Sequence, residues 1–140
     1  MRIFLDIGAH EGQTVEAVSD MDFDRIFAFE PMPEQYARLV ERFGDREDIT
    51  LLNFGLSNVT ATLPVYGGND HLEASVYPTG ATVDEAVVTE CDFVSATEWF
   101  EGNLTDEDEV YVKINCEGSE VDILSDLVDS GEIWKIDSVT

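Results

Sequence analysis

Leu5-Asp6-Ile7-Gly8-Ala9-His10-Glu11-Gly12 is the stretch on which the reading of this 140-residue chain turns. Residues 3–7 form a short apolar run cut by Gly8, the pattern of a buried strand. Residues 8–12 are a glycine-bounded turn, and residues 14–21 predict a helix with Val15 and Val18 inward. In an open α/β sheet, ligands bind beyond the carboxyl ends of the strands, so this turn marks a candidate site. Asp6 sets a carboxylate just before it. The spacing is G-x-x-x-G rather than the G-x-G-x-x-G of a pyrophosphate cradle, which favours a cationic ligand over a diphosphate.

Outward from this turn, strand and helix patterns alternate. Residues 25–29 read as a second buried strand ending at Glu30, and Pro31-Met32-Pro33 breaks the chain. Pro33 suits the first position of a helix, in which Tyr36, Leu39, Val40 and Phe43 recur at i, i+3, i+4 and i+7 until Gly44 stops it. Residues 49–56 predict a third strand, and residues 61–66 and 86–94 two more, joined by a polar stretch. Ser95 with Glu98 forms a capping box that opens a short helix carrying Trp99 and Phe100. Residues 110–115 read as a fourth parallel strand, followed by a Glu117-Gly118 turn. Val121, Leu124, Leu127 and Val128 mark a helix with Gly131 as its stop, and residues 133–139 begin a last strand. The alternation predicts a mostly parallel sheet in a three-layer α/β/α domain spanning residues 1–140.

Thirty-one Asp and Glu against 7 Lys and Arg leave a net charge of −24. That excludes a phosphate-tracking nucleic-acid binder and argues against docking on anionic membranes. No apolar run approaches the roughly 20 residues of a spanning helix, and the N-terminus does not read as a signal peptide. The acids are dispersed, and only Lys113 and Lys135 are lysines. Molar salt shortens the Debye length to about 3 Å and screens such self-repulsion, so the surface reads as that of a halophile's cytoplasmic protein. An acidic mesophilic protein is the plainer alternative. The dense run Asp106-Glu107-Asp108-Glu109 reads as a solvated loop. Cys91 and Cys116 show no metal or redox spacing and read as buried free thiols, with no metal site expected.

Glu30 closes the second strand, 18 residues after Gly12. A carboxylate there can accept two hydrogen bonds from a ribose diol. Asp6 and Glu30 at consecutive strand ends describe a nucleoside with a cationic tail, and S-adenosylmethionine fits that description. The plainer alternatives are that Asp6 only caps the turn and that Glu30 is one surface acid among many.

These residues resemble those of class I S-adenosylmethionine-dependent methyltransferases, specifically the FkbM family. The resemblance rests on Asp6 to Thr14, on Phe29-Glu30-Pro31-Met32-Pro33 with Tyr36 and Leu39, and on Val112-Lys113-Ile114-Asn115-Cys116-Glu117-Gly118-Ser119-Glu120, with a weaker match at Asn53 to Asn58. It implies that Gly8, Ala9, His10 and Gly12 wrap the methionine moiety, with Asp6 close to the cofactor through the backbone of the turn. Glu30 would hold the ribose hydroxyls, Met32 would press on the adenine, and Ser57 and Asn58 would lie near its edge. Lys113, Asn115 and Glu117 would line the methyl-transfer side, with Glu117 the candidate general base or, alternatively, a carboxylate favoured by a helix N-terminus. The family typically methylates a hydroxyl oxygen of a small molecule or sugar. The segment 66–82, with Asn69, Asp70 and His71, would lie over the pocket.

Three departures qualify the likeness. The family's common leucine-aspartate before the short helix is Ala96-Thr97 here. The family usually carries an aspartate where Asn115 stands, and an amide cannot act as a base. The chain also stops in what would be the fifth strand of a class I fold, without the last strands. It is therefore expected to be either a truncated domain or a minimal one that completes its sheet through a second copy, as a homodimer across an open edge. Two other functions stay open: a non-catalytic cofactor-binding or assembly module, and a nicotinamide-dependent dehydrogenase, against which the G-x-x-x-G spacing counts.

Overall fold

The computed structural model describes residues 1–67, 87–116 and 119–140. Strand β1 (Arg2–Ile7) is buried along nearly its whole length, the mark of a strand covered on both faces. Helix α1 (Gln13–Val18) follows, then β2 (Arg25–Phe29), α2 (Pro33–Phe43) and β3 (Ile49–Leu52). Next come β4 (Gly55–Ser57), β5 (Ala61–Gly67), β6 (Val87–Ser95), α3 (Ala96–Asn103), β7 (Glu109–Ile114), α4 (Glu120–Ser130) and β8 (Ile136–Val139).

Five strands form one sheet in the order β3-β2-β1-β7-β8, and every pairing in it is parallel. The order reverses at β1, so the crevice beyond β1 and β7 is the switch point at which such sheets bind ligands. Side chains alternate across the sheet with the period of two that a strand imposes. Ile3, Leu5, Ile7 and Phe29 pack with Trp99, Phe100, Ile123 and Leu127 from α3 and α4. Phe4, Ile26 and Ala28 pack with Val15, Val18, Leu39 and Phe43 from α1 and α2 on the opposite face. These are the three layers expected from the sequence.

Residues 49–56 are two strands in two sheets, not one. The ladder with β2 ends at Leu52, where Asn53 Nδ2 donates to the carbonyls of Glu30 (2.9 Å) and Pro31 (3.2 Å). The chain then turns into β4, which joins a second sheet of order β4-β6-β5, where β5 runs antiparallel to β6. The last strand is also shorter than expected. Residues Glu132–Lys135 form a 3-10 turn, and only Ile136–Val139 pair with β7. Asp137 Oδ2 accepts from Val110 N (2.7 Å), the point at which the register shifts.

Both long helices bury only part of the expected stripe. In α2 the buried positions are Gln35, Leu39 and Phe43, while Tyr36 is half-buried and Val40 exposed. In α4 they are Ile123 and Leu127, while Val121 and Val128 face outward. Gly131 ends α4 in the left-handed conformation, whereas Gly44 ends α2 while staying right-handed. Ser95 Oγ accepts from Glu98 N as the capping box requires. The return bond passes through a third residue: Ser95 N donates to Thr60 Oγ1 (2.9 Å), and Thr60 donates to Glu98 Oε2 (2.8 Å). In the acidic run, Asp106 and Glu107 are exposed as expected, but Glu109 already belongs to β7. Among the described residues, no helix is long and apolar enough to cross a membrane.

Candidate functional site

The site is built where β1, β2 and β7 end. Asp6 pairs in register with Ala28 of β2 and Lys113 of β7, so the three residues share one face of the sheet. Asp6 is fully buried, and neither carboxylate oxygen has a hydrogen-bond partner among the described residues. Lys113 Nζ stands 3.7 Å from Asp6 Oδ1, close enough to attract it and too far to bond it. Burial pushes the Asp6 carboxyl up to about 6, against the pull of Lys113. The possibility that Asp6 merely caps the turn is removed, because it accepts nothing from the turn.

Beyond β1 the chain turns on Gly8 and Gly12, both at positive φ. Gly8 N and Ala9 N donate to the Phe29 carbonyl at 3.0 and 2.9 Å, which staples the turn to the end of β2. A Cβ on Gly8 would lie 2.4 Å from the Asn115 carbonyl oxygen, so only glycine lets the turn pass the end of β7. His10 is the one described non-glycine residue at positive φ, at 52°.

Glu30 is buried with its carboxylate across this turn. Oε1 accepts from His10 N and Oε2 from Met32 N, each at 2.8 Å. The His10 ring nitrogen Nδ1 lies 3.9 Å from Oε1. Burial pushes the Glu30 carboxyl up to about 7, opposed by the two N–H donors and reinforced by Asp6. The structure thus sets Asp6, Glu30 and Lys113 around the start of the turn, with His10, Gly8 and Ala9 folded over them.

The other sequence-predicted residues are dispersed around this centre. Met32 is buried with Val65, Cys91 and Phe93, its Sδ 3.8 Å from Cys91 Sγ, which makes it part of the core beneath the second sheet. Ser57 is buried at the end of β4 and donates to Asn58 Oδ1 (3.2 Å), while Asn58 is exposed. Asn115 is exposed, and its backbone N donates to the Ile7 carbonyl (2.9 Å). Glu117, Asn69, Asp70 and His71 lie outside the described residues. Burial pushes the Cys91 thiol up to about 11 and the Cys116 thiol up to about 12, so both are protonated at neutral pH. Cys91 is buried as expected, but Cys116 keeps some exposure. Among the described residues, no group of three or more His, Cys, Asp or Glu could hold a metal ion.

Sequence reasoning missed two supports. Asn53 ties the Glu30-Pro31 backbone to the end of β3, and Arg38 and Arg42 reach from α2 to Glu11 in the turn. The i, i+4 spacing of the arginines was the available signal, since in a helix it places them on one face.

The profile of the methyltransferase FkbM domain family matches residues 6–140. No curated protein matches the chain. A solved structure of methyltransferase FkbM from Methylobacillus flagellatus KT is similar in fold, with a TM-score of 0.57 at 18% identity over 94% of this chain. This chain spans 30% of the length of that protein.

Proposed function

The chain belongs to the FkbM methyltransferase domain family, and from that membership we propose that it binds S-adenosylmethionine and methylates a hydroxyl oxygen of a small molecule or sugar. The observation that carries the reading is Asp6, a buried carboxylate with no hydrogen bond among the described residues and Lys113 Nζ 3.7 Å away, at the switch point of a parallel sheet. Leaving such a group unsatisfied costs roughly 1–3 kcal/mol, more for a charge, unless something cationic or hydrogen-bonding arrives. A donor bearing an ammonium and a sulfonium answers that need, and a diphosphate does not.

In this reading Gly8, Ala9, His10 and Gly12 enclose the methionine end, and Asp6 draws its positive charge. Glu30 accepts from the ribose hydroxyls, with Ser57 and Asn58 towards the base. The donor supplies an electrophilic methyl group. The remaining task of the protein is alignment of the acceptor oxygen at near-attack distance and removal of its proton. Lys113 stands on the transfer side with Asn115, whose amide can orient a hydroxyl but cannot take its proton. Glu117 is the proposed base from its place in the sequence. The dispersed −24 charge supports a salt-rich cytoplasm as the working environment.

Methyl transfer from labelled donor to a panel of sugars and small alcohols tests the chemistry. Label in an alkali-stable ether is the expected result. Donor binding without transfer to any hydroxyl would instead favour a cofactor-binding or assembly module, the reading to which Asn115 lends support.

A further inference from the structure

We propose that Arg38 and Arg42 are positioning residues for the cofactor turn, holding it from outside as Glu30 holds it from within. The inference rests on the cofactor reading above only for its binding arm.

Of the seven basic residues in the chain, Arg38 and Arg42 stand one turn apart on α2, and Arg46 follows just beyond its C-terminal end. All three reach the segment from Glu11 to Ser19. Arg38 Nη1 donates to the Glu11 carboxylate. Arg42 Nη1 donates to the Glu11 carbonyl, and its Nη2 donates to Glu16 Oε2 at 2.6 Å. Arg46 Nη2 donates to the Ser19 carbonyl at 3.4 Å and is otherwise paired with Asp48. The row therefore follows the chain from the turn to the far end of α1.

The start of α1 has no side-chain cap of its own. α1 is six residues long, has Gly12 as an N-cap with no side-chain bond, and has no basic residue in its last turn. Against it, α2 packs so closely that a Cβ on Gly12 would lie 2.6 Å from Phe43 Cε2 and 2.9 Å from Leu39 Cδ2. Glu11 sits between His10, bound through its N–H by Glu30, and Gly12, packed on α2. A side-chain contact and a main-chain contact from two arginines fix that residue on both sides. A single exposed ion pair contributes little, but an arginine that joins a backbone carbonyl to a second carboxylate constrains geometry as well as charge. Arg38 and Arg42 act on the turn through Glu11 and need no contact with the ligand.

The test compares the Arg38→Gln/Arg42→Gln double variant with Arg46→Gln, which cuts the same row away from the turn. Amide hydrogen exchange reports the turn itself. The double variant should speed exchange at His10, Glu11 and Gly12 by about 5-fold or more, with β1 and β7 unchanged, since local opening is read residue by residue. S-adenosylhomocysteine should bind it roughly 3–10-fold more weakly, a loss of preorganisation rather than of contacts. Arg46→Gln should leave both readings at the wild-type level, and Arg42→Lys should fall between. Unchanged exchange at the turn, equal change in Arg46→Gln, or acceleration spread evenly over the chain would each overturn the proposal. If the wild-type protein binds no S-adenosylhomocysteine, the cofactor reading fails, and the exchange arm still decides the role of the arginines.

Discussion

Asp6 and Lys113 are register partners in neighbouring parallel strands, yet the lysine ammonium halts 3.7 Å from Asp6 Oδ1 and gives it no hydrogen bond. A fold selected for stability alone would have an apolar residue or a bonded pair at this point. Asp6→Asn removes the buried charge while keeping the shape. At pH 8, where burial disfavours the ionised Asp6, the empty protein should be at least as stable as the wild type, and S-adenosylmethionine affinity should fall by about 10-fold or more. Thermal unfolding and calorimetry read the two effects separately. Loss of stability with unchanged affinity would mean that Asp6 serves the fold.

The pH dependence follows from two carboxyls held above their ordinary values, Asp6 at about 6 and Glu30 at about 7, mainly by burial. Between roughly pH 4 and 7 the folded chain retains protons that the unfolded chain has released, so the stability of the empty protein falls as pH rises through this window, by an amount on the order of a few kcal/mol. Ligand affinity runs the other way, because the ionised carboxylates attract the cation and accept from the ribose. S-adenosylmethionine should bind about 10-fold more tightly at pH 8 than at pH 5.5. Calorimetry across that range, in buffers of differing ionisation enthalpy, should show protons released on binding. A flat profile would contradict the placement of both carboxyls.

Gly12→Ala puts a methyl group against Phe43 and Leu39 at a position with φ of 96°. The strain and the clash together should cost about 2–4 kcal/mol of stability. Denaturant midpoints measure it, and a cost below about 0.5 kcal/mol would show that α2 yields more easily than close packing allows.

Asp126 offers a control remote from the site. Its carboxylate accepts from Ser95 Oγ (3.2 Å) and Thr97 N (3.0 Å), locking the start of α3 to α4. Asp126→Ala should cost about 1–2 kcal/mol, the range for loss of a helix cap, with cofactor affinity unchanged. Urea unfolding and calorimetry together check the separation.

Much of this architecture was legible in the sequence because the signals were short-range. An apolar run cut by Gly8 located β1, one ended by Glu30 and Pro31 located β2, and the carboxylates at their ends marked the candidate site. Pro33 and Gly131 marked helix ends through their own backbone preferences. The split of residues 49–56 was not legible, since the side-chain bonds of Asn53 that end the ladder reach carbonyls 22 and 23 residues away. The faces of α2 and α4 were misjudged in part for a related reason. Spacing identifies an amphipathic helix, but the neighbour that covers it decides whether Val40 or Gln35 is buried. Met32 reads in sequence as a ligand contact, and its burial with Cys91 and Phe93 depends on the second sheet.

The central claim is that Asp6 and Glu30 form the floor of a site for S-adenosylmethionine. Calorimetric titration of S-adenosylmethionine into the folded protein in about 2 M KCl, where self-repulsion is screened, tests it most directly. The account predicts micromolar binding, weakened by about 30-fold or more in Glu30→Ala, which removes the acceptor of two backbone N–H groups and the proposed acceptor of the ribose hydroxyls. A folded protein that takes up no S-adenosylmethionine, or a Glu30→Ala variant that binds it as tightly as the wild type, would contradict the account.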